Sequence, residues 1–178
     1  MNKRLRYGLA ILTSILVLSA CSSVKPDDYA SETPRLELNK FLNGKLTGWG
    51  IFQKTAGKVS KRFRIDMQAS WHDNKGSFVE HFSFNDGTKQ TRSWVMTRVD
   101  EHHYTAVAND SVGTGHGEVY GNTMHWHYTI KTPTSSGTYD LDYDYWMYKI
   151  DEQTLINRAT LSKFGVPLGD IAVTFRKG

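Results

Sequence analysis

One cysteine, Cys21, occurs in the 178 residues, so no disulfide can form within the chain and no CxxC metal or redox pair exists. The sequence also lacks a convincing helical period of ten residues, an internal repeat, and the P-loop, GxSxG and HExxH patterns. It lacks an excess of one charge as well. The formal net charge is +4, but Lys3, Arg4 and Arg6 lie in a leader-like segment, and without them 19 basic residues face 18 acidic ones. The remainder is close to neutral, and a nucleic acid or another acidic polymer is not an expected partner. The length suits one domain with one sizeable core.

No apolar run is long enough to span a bilayer comfortably. The longest, Tyr7 to Leu18, is about a dozen residues and follows the basic cluster, which is the pattern of a signal peptide covering residues 1–20. Directly after it, Leu18-Ser19-Ala20-Cys21 resembles the lipobox of bacterial lipoproteins: apolar, small, small, then the cysteine that receives diacylglycerol. Cys21 is therefore the expected lipidation site and the N-terminus of the processed chain. A thioether-linked diacylglycerol and an amide-linked acyl chain such as palmitate hold a protein on a membrane far more firmly than one chain does. Ser22 stands where an inner-membrane lipoprotein would carry Asp, so the expected location is the outer membrane, facing the periplasm. Residues 21–39 carry Pro26, Pro34 and several acidic and small residues with little apolar pattern, and read as a flexible tether. Leu36, Leu38, Phe41 and Leu42 are spaced for a short helical turn that caps a barrel end.

What the rest of the sequence has in abundance is alternation, together with 12% aromatics. Phe63, Ile65, Met67, Ala69 and Trp71 fall on one face, and Arg62, Arg64, Asp66, Gln68 and Ser70 on the other, a half-buried strand. His72 to Gly76 is a turn, Phe78 to Phe84 the returning strand, and Asn85-Asp86-Gly87 a hairpin signal. The same grammar predicts strands over Lys45–Gln53, Gln90–Val99, Tyr104–Ala108, Gly117–Tyr120, Thr123–Lys131, Thr138–Tyr148, Gln153–Lys163 and Asp170–Arg176. Turns fall at Asn109-Asp110-Ser111, Gly121-Asn122, Ser135-Ser136-Gly137, Asp151-Glu152 and Gly165 to Gly169. The expected fold is all-β: an antiparallel up-and-down barrel of about 8–10 strands over residues 40–178.

Period two also sorts the polar residues. Glu80 runs in phase with Phe78, Phe82 and Phe84, and Arg92 with Trp94 and Met96, so both point inward on hairpin partners and are placed to pair. They form either a buried ion pair that fixes register or a polar floor that orients a ligand headgroup. Asn157, in phase with Leu155, Ala159 and Leu161, is an inward amide in need of partners. Trp126 and Tyr128 share a face with Met124 and Ile130; Trp49, Trp71, Trp94 and Trp146 add further rings, most of them expected in the core. His125 and His127 point outward, about 6.6 Å apart, a spacing that two metal ligands can use, but the sequence fixes no third ligand and no metal is expected. Asp140, Asp142 and Asp144 read as a solvated acidic face. Neither a nucleophile with its base nor paired carboxylates in a cleft can be assembled, so the chain is not expected to be an enzyme or to carry a cofactor.

Taken together, Asn43-Gly44-Lys45-Leu46-Thr47-Gly48-Trp49-Gly50, Glu80-His81-Phe82, Asp86-Gly87, Arg92-Ser93-Trp94, Gly121-Asn122, Asp144-Tyr145-Trp146-Met147 and Asn157-Arg158-Ala159-Thr160 through Gly165 resemble the bacterial lipoprotein family DUF3833, over residues 40–178. That resemblance implies no reaction, but it marks Glu80, Arg92, Trp94, Asn157 and Arg158 as motif positions. In architecture the domain resembles lipocalin-like, calycin-type barrels, with a tryptophan on the first strand and Arg176 near the end of the last, although Gly48 and Trp49 are adjacent. The expected function is a membrane-tethered barrel that binds a lipid-like or fatty-acid-like ligand. Glu80, Arg92 and Asn157 would orient its polar end, and Trp94, Trp126 and Tyr128 would cover its tail. The alternative is an envelope scaffold with a filled core that meets another envelope protein.

Overall fold

A computed structural model describes residues 23–134 and 136–178. The expected signal peptide, Cys21, Ser22 and Ser135 lie outside the described residues. Ten strands follow one another in a simple meander: β1 (Gly44–Lys54), β2 (Val59–His72), β3 (Lys75–Phe84), β4 (Lys89–Arg98), β5 (His103–Ala108), β6 (Gly115–Tyr120), β7 (Thr123–Thr134), β8 (Gly137–Lys149), β9 (Thr154–Lys163) and β10 (Val166–Lys177). Each pairs antiparallel with its neighbours in sequence, and β1 pairs with β10 to close the barrel. The expected architecture is what forms.

The alternation read from the sequence decides which wall faces in. Ile65, Met67 and Ala69 of β2 are buried while Arg64, Asp66 and Gln68 are exposed. The apolar face is the lumen and the charged face is outside, the inverse of a barrel that meets lipid with its outer wall. No helix among the described residues is long and apolar enough to cross a membrane.

One end is plugged. The helical turn α1 (Leu38–Phe41) lies across it and buries Leu36, Leu38, Phe41 and Leu42. The plug is fastened by polar contacts: Trp71 Nε1 donates to the Leu42 carbonyl (2.9 Å), and Lys177 Nζ to the Lys40 carbonyl (2.6 Å). Phe78, Tyr104, Met124, Leu155 and Phe175 pack beneath it. At the other end the inward rings Phe52, Phe63, Phe82 and Phe84 are only half-buried, so that end is less well covered.

Three sequence expectations change. The segment read as a flexible tether is docked in part: a 3-10 turn at Pro26–Tyr29 lies on the outer wall, where Tyr29 packs against Trp146 and Tyr148. Gly121, with φ of +51°, permits this, because a Cβ there would collide with the Tyr29 carbonyl. Trp49 and Trp146 are not core. Leu46 and Gly48 of β1 face in, leaving Trp49 outside and half-exposed, and Trp146 lies against His125 on the outer wall. Finally, β10 begins at Val166 and takes up Pro167 at a register shift, where a proline needs no ladder bond.

Candidate ligand-binding site

The hairpin turn Asn85-Asp86-Gly87 sets the register of β3 and β4, with Gly87 at φ +84° and Asp86 Oδ1 accepting from the Thr88 backbone N–H (3.0 Å). That register places Glu80 opposite Arg92 and Phe78 opposite Trp94, all on the lumen side. Glu80 and Arg92 therefore share the interior, as period two predicts, but they do not bond directly. Glu80 Oε2 accepts from Trp94 Nε1 at 3.2 Å. Arg92 Nε donates to both oxygens of Asp110 at 3.0 Å, and Gln90 Nε2 donates to Asp110 Oδ2 at 3.2 Å. Asp110 belongs to the β5–β6 loop, where alternation carries no information, and sequence reasoning missed it. The guanidinium also lies over the rings of Phe82 and Trp94, a placement that favours a cation.

Across the lumen, β7, β8 and β9 contribute the remaining polar groups. Tyr128 stacks on Tyr143, with ring centroids 4.9 Å apart, and meets Trp94 edge-on at 5.2 Å. Asn157, 1% exposed, donates from Nδ2 to the Tyr145 hydroxyl at 2.7 Å. Its Oδ1 is buried without a hydrogen-bond partner. Turning the amide over only exchanges which terminal atom is stranded. Tyr145 accepts from Asn157, so its own proton is left to donate. It runs in phase with Leu141 and Tyr143, and the same period-two argument that found Asn157 identifies it. Trp126 is buried over Gly115 and Gly117, with its ring centroid 6.5 Å from that of Tyr128. Arg158 points outward from β9.

The electrostatics follow from this enclosure. Burial pushes the Glu80 carboxyl up, against the opposing pull of Arg92 and the Trp94 N–H. Burial also works against the Arg92 charge, but the neighbouring carboxylates Glu80 and Asp110 outweigh it and hold the guanidinium ionised. Tyr128 and Tyr145 are pushed up by burial and remain phenols. The wall thus presents a fixed cation, two hydroxyl groups, a carboxyl biased toward its neutral form and one stranded amide atom. This set can hold a polar group that both donates and accepts hydrogen bonds.

A prediction follows from Glu80. A native pKa above the ordinary value of 4.5 means that the folded state binds more protons than the unfolded one, so this group's contribution is fully present below the ordinary value. It is lost as pH rises through the raised one. Glu80→Gln should therefore be more stable than the parent at neutral pH, with the difference vanishing in acid. Urea titrations of both proteins between about pH 4 and 8 measure this; parallel pH curves would place Glu80 in water.

A family model described as a protein of unknown function, DUF3833, matches residues 15–177. The chain belongs to the DUF3833 family. The match starts before residue 40, where the motif resemblance began, and takes in Leu18 to Cys21. No curated protein matches this DUF3833 chain in sequence. Among solved structures, its barrel is similar to the S-type phycobiliprotein lyase CPES from Guillardia theta, with a TM-score of 0.59 and 8% identity over 79% of this chain and 90% of that one. It is also similar to Rv2717c from M. tuberculosis, with a TM-score of 0.56 and 13% identity over 83% of this chain and 99% of that one. At these identities the likeness establishes the barrel fold of the DUF3833 chain and nothing about its chemistry.

Proposed function

We propose that this DUF3833 protein is an outer-membrane lipoprotein, acylated at Cys21 and facing the periplasm, whose lumen binds a small amphipathic ligand such as a fatty acid or lipid fragment. The observation that carries the binding reading is the stranded Asn157 amide atom beside the Tyr145 hydroxyl. A buried polar atom left unpaired costs about 1–3 kcal/mol, and a ligand group seated between Asn157, Tyr145 and Glu80 would remove that cost. The ligand's apolar part would lie toward the less covered end among Phe63, Phe82 and Trp94. The family match over the lipobox supports the anchor. The lyase likeness bears on the fold alone and lends nothing to the expectation of a non-enzymatic chain; binding is the role proposed for the lumen.

A second reading, an envelope scaffold with a filled barrel, draws on two observations. The rings at the less covered end pack on one another, with Phe63 and Phe84 centroids 5.6 Å apart. Two open depressions also lie outside the lumen: one of about 420 Å³ at the wall by Trp49, Arg62 and Ile156, and one of about 500 Å³ by the turn at Asp73 and Asn74.

Native mass spectrometry of the chain purified from cells, with thermal melts in fatty acids, separates the two. A co-purified lipid mass, or a melting shift with fatty acids that Asn157→Leu removes, is expected for the ligand carrier. Neither would be seen for the scaffold. For the anchor, Cys21→Ser should accumulate as unprocessed precursor and take up no radioactive palmitate, and normal processing or palmitate incorporation by that variant would overturn the assignment.

A further inference from the structure

We infer that His125, His127 and Asp144 form a binding site for a zinc-class divalent transition metal on the outer wall of the barrel. The site is separate from the lumen and does not depend on what the lumen holds. The sequence places His125 and His127 on one face of β7. The β7–β8 register supplies what spacing alone leaves open, because Asp144 stands directly across from His127. The Nε2 of His125 lies 2.5 Å from Asp144 Oδ1, and the Nδ1 of His127 lies 3.9 Å from the same oxygen. One ligand atom from each residue falls within 4.8 Å of the others, close enough for all three to face a single ion at bond lengths of about 2.0–2.2 Å after small side-chain adjustments.

The surroundings suit that role. The His125 ring is stacked on Trp146, with centroids 3.9 Å apart and planes 19° from parallel, so one ligand is fixed in advance. His127 and Asp144 are exposed on the wall, which leaves an approach path. On the neighbouring strand β6, His116 stands across from His127 and Glu118 across from His125. His116 thus faces the same side, and Glu118 adds negative charge. Two imidazoles and one carboxylate match zinc, cobalt or nickel, and not the all-oxygen shells of calcium or magnesium. The neighbouring Asp142 is engaged by the Thr129 hydroxyl at 2.8 Å, so the acidic face does not act as a uniform patch.

Calorimetric titration of the chelator-treated full chain with zinc sulfate tests the site. One zinc per chain is expected. His127→Ala and Asp144→Asn should each weaken it at least about tenfold, while His72→Ala, a freely exposed histidine on another hairpin, should leave it unchanged. The side chains of His127 and Asp144 are more than half exposed, so melts without metal should match the parent; if one variant fails to fold, the other carries the test. Imidazole nitrogen resonances of both His125 and His127 should shift on adding zinc. No saturable binding, or equal binding by the parent, His127→Ala and Asp144→Asn, would overturn the site.

Discussion

Replacing Arg92 with leucine should lower the folding free energy by about 3–5 kcal/mol, the range for removing one partner of a buried ion pair. The loss has two sources. Asp110 loses both Nε bonds at 3.0 Å, and Glu80 and Asp110 are left as two carboxylates in one wall without the intervening cation. The side chains of Arg92 and Asp110 retain 11% and 16% exposure, which places the effect toward the lower end of that range. Urea denaturation at neutral pH gives the value. Adding Asp110→Asn to the leucine variant should recover part of it, because the neutral amide costs less to leave unpaired than a carboxylate does. A loss below about 1 kcal/mol would mean that the pair is solvated like a surface salt bridge.

Gly117→Val should be comparably severe. In β6 the inward positions Gly115 and Gly117 have no side chain, and the Trp126 indole of β7 occupies the space they leave. A Cβ at Gly117 would fall within the Trp126 ring and close to the end of Met124. The indole is 3% exposed and Met124 fully buried, so neither can retreat. Overpacking of this kind costs about 1–3 kcal/mol, occasionally more. The expected signature is a lowered melting temperature with altered tryptophan fluorescence. Trp126→Leu in the valine background should restore part of the stability, although that change alone destabilises by removing a large buried ring. A valine variant with parental melting and fluorescence would show that the glycine is not what admits the indole.

The success and failure of sequence reasoning here have the same physical origin. Where a strand separates water from the core, its side chains must alternate, and in β2 the alternation fixed both the strand and its inward face. Where a short hairpin turn is specified, register follows: the three-residue turn Asn85-Asp86-Gly87 closes on Phe84 and Thr88 and puts Glu80 opposite Arg92. The method loses its hold at three kinds of place. Strand extensions such as Val59 to Lys61 project beyond the core and are exposed, so nothing selects their polarity. Asp110 reaches the lumen from a loop, whose direction depends on tertiary closure. Trp49 and Trp146 are large rings whose type suggests burial, but in β1 the inward positions on either side of Trp49, Gly48 and Gly50, are glycines that make room for Phe175 and Phe63, and the tryptophan takes the other side. Of the polar site, Glu80, Arg92 and Asn157 were legible, and Tyr145 was available to the same argument. The partner that Arg92 chooses was not.

The joining of β1 to β10 has a consequence for both assembly and recognition. Leu46 pairs with Lys177, so the last ladder brings together nearly the two extremes of the folded chain. Contacts of such sequence separation are slow to form, because the entropy of gathering the intervening residues is lost before the final hydrogen bonds compensate. Once the ring is complete, no strand among the described residues is left as an edge along its whole length. A visiting protein meets mainly side chains, either around the rim or on the outer surface. Deleting the final strand would reverse this, baring β1 and β9 together and turning a self-contained cylinder into a sheet with two adhesive margins.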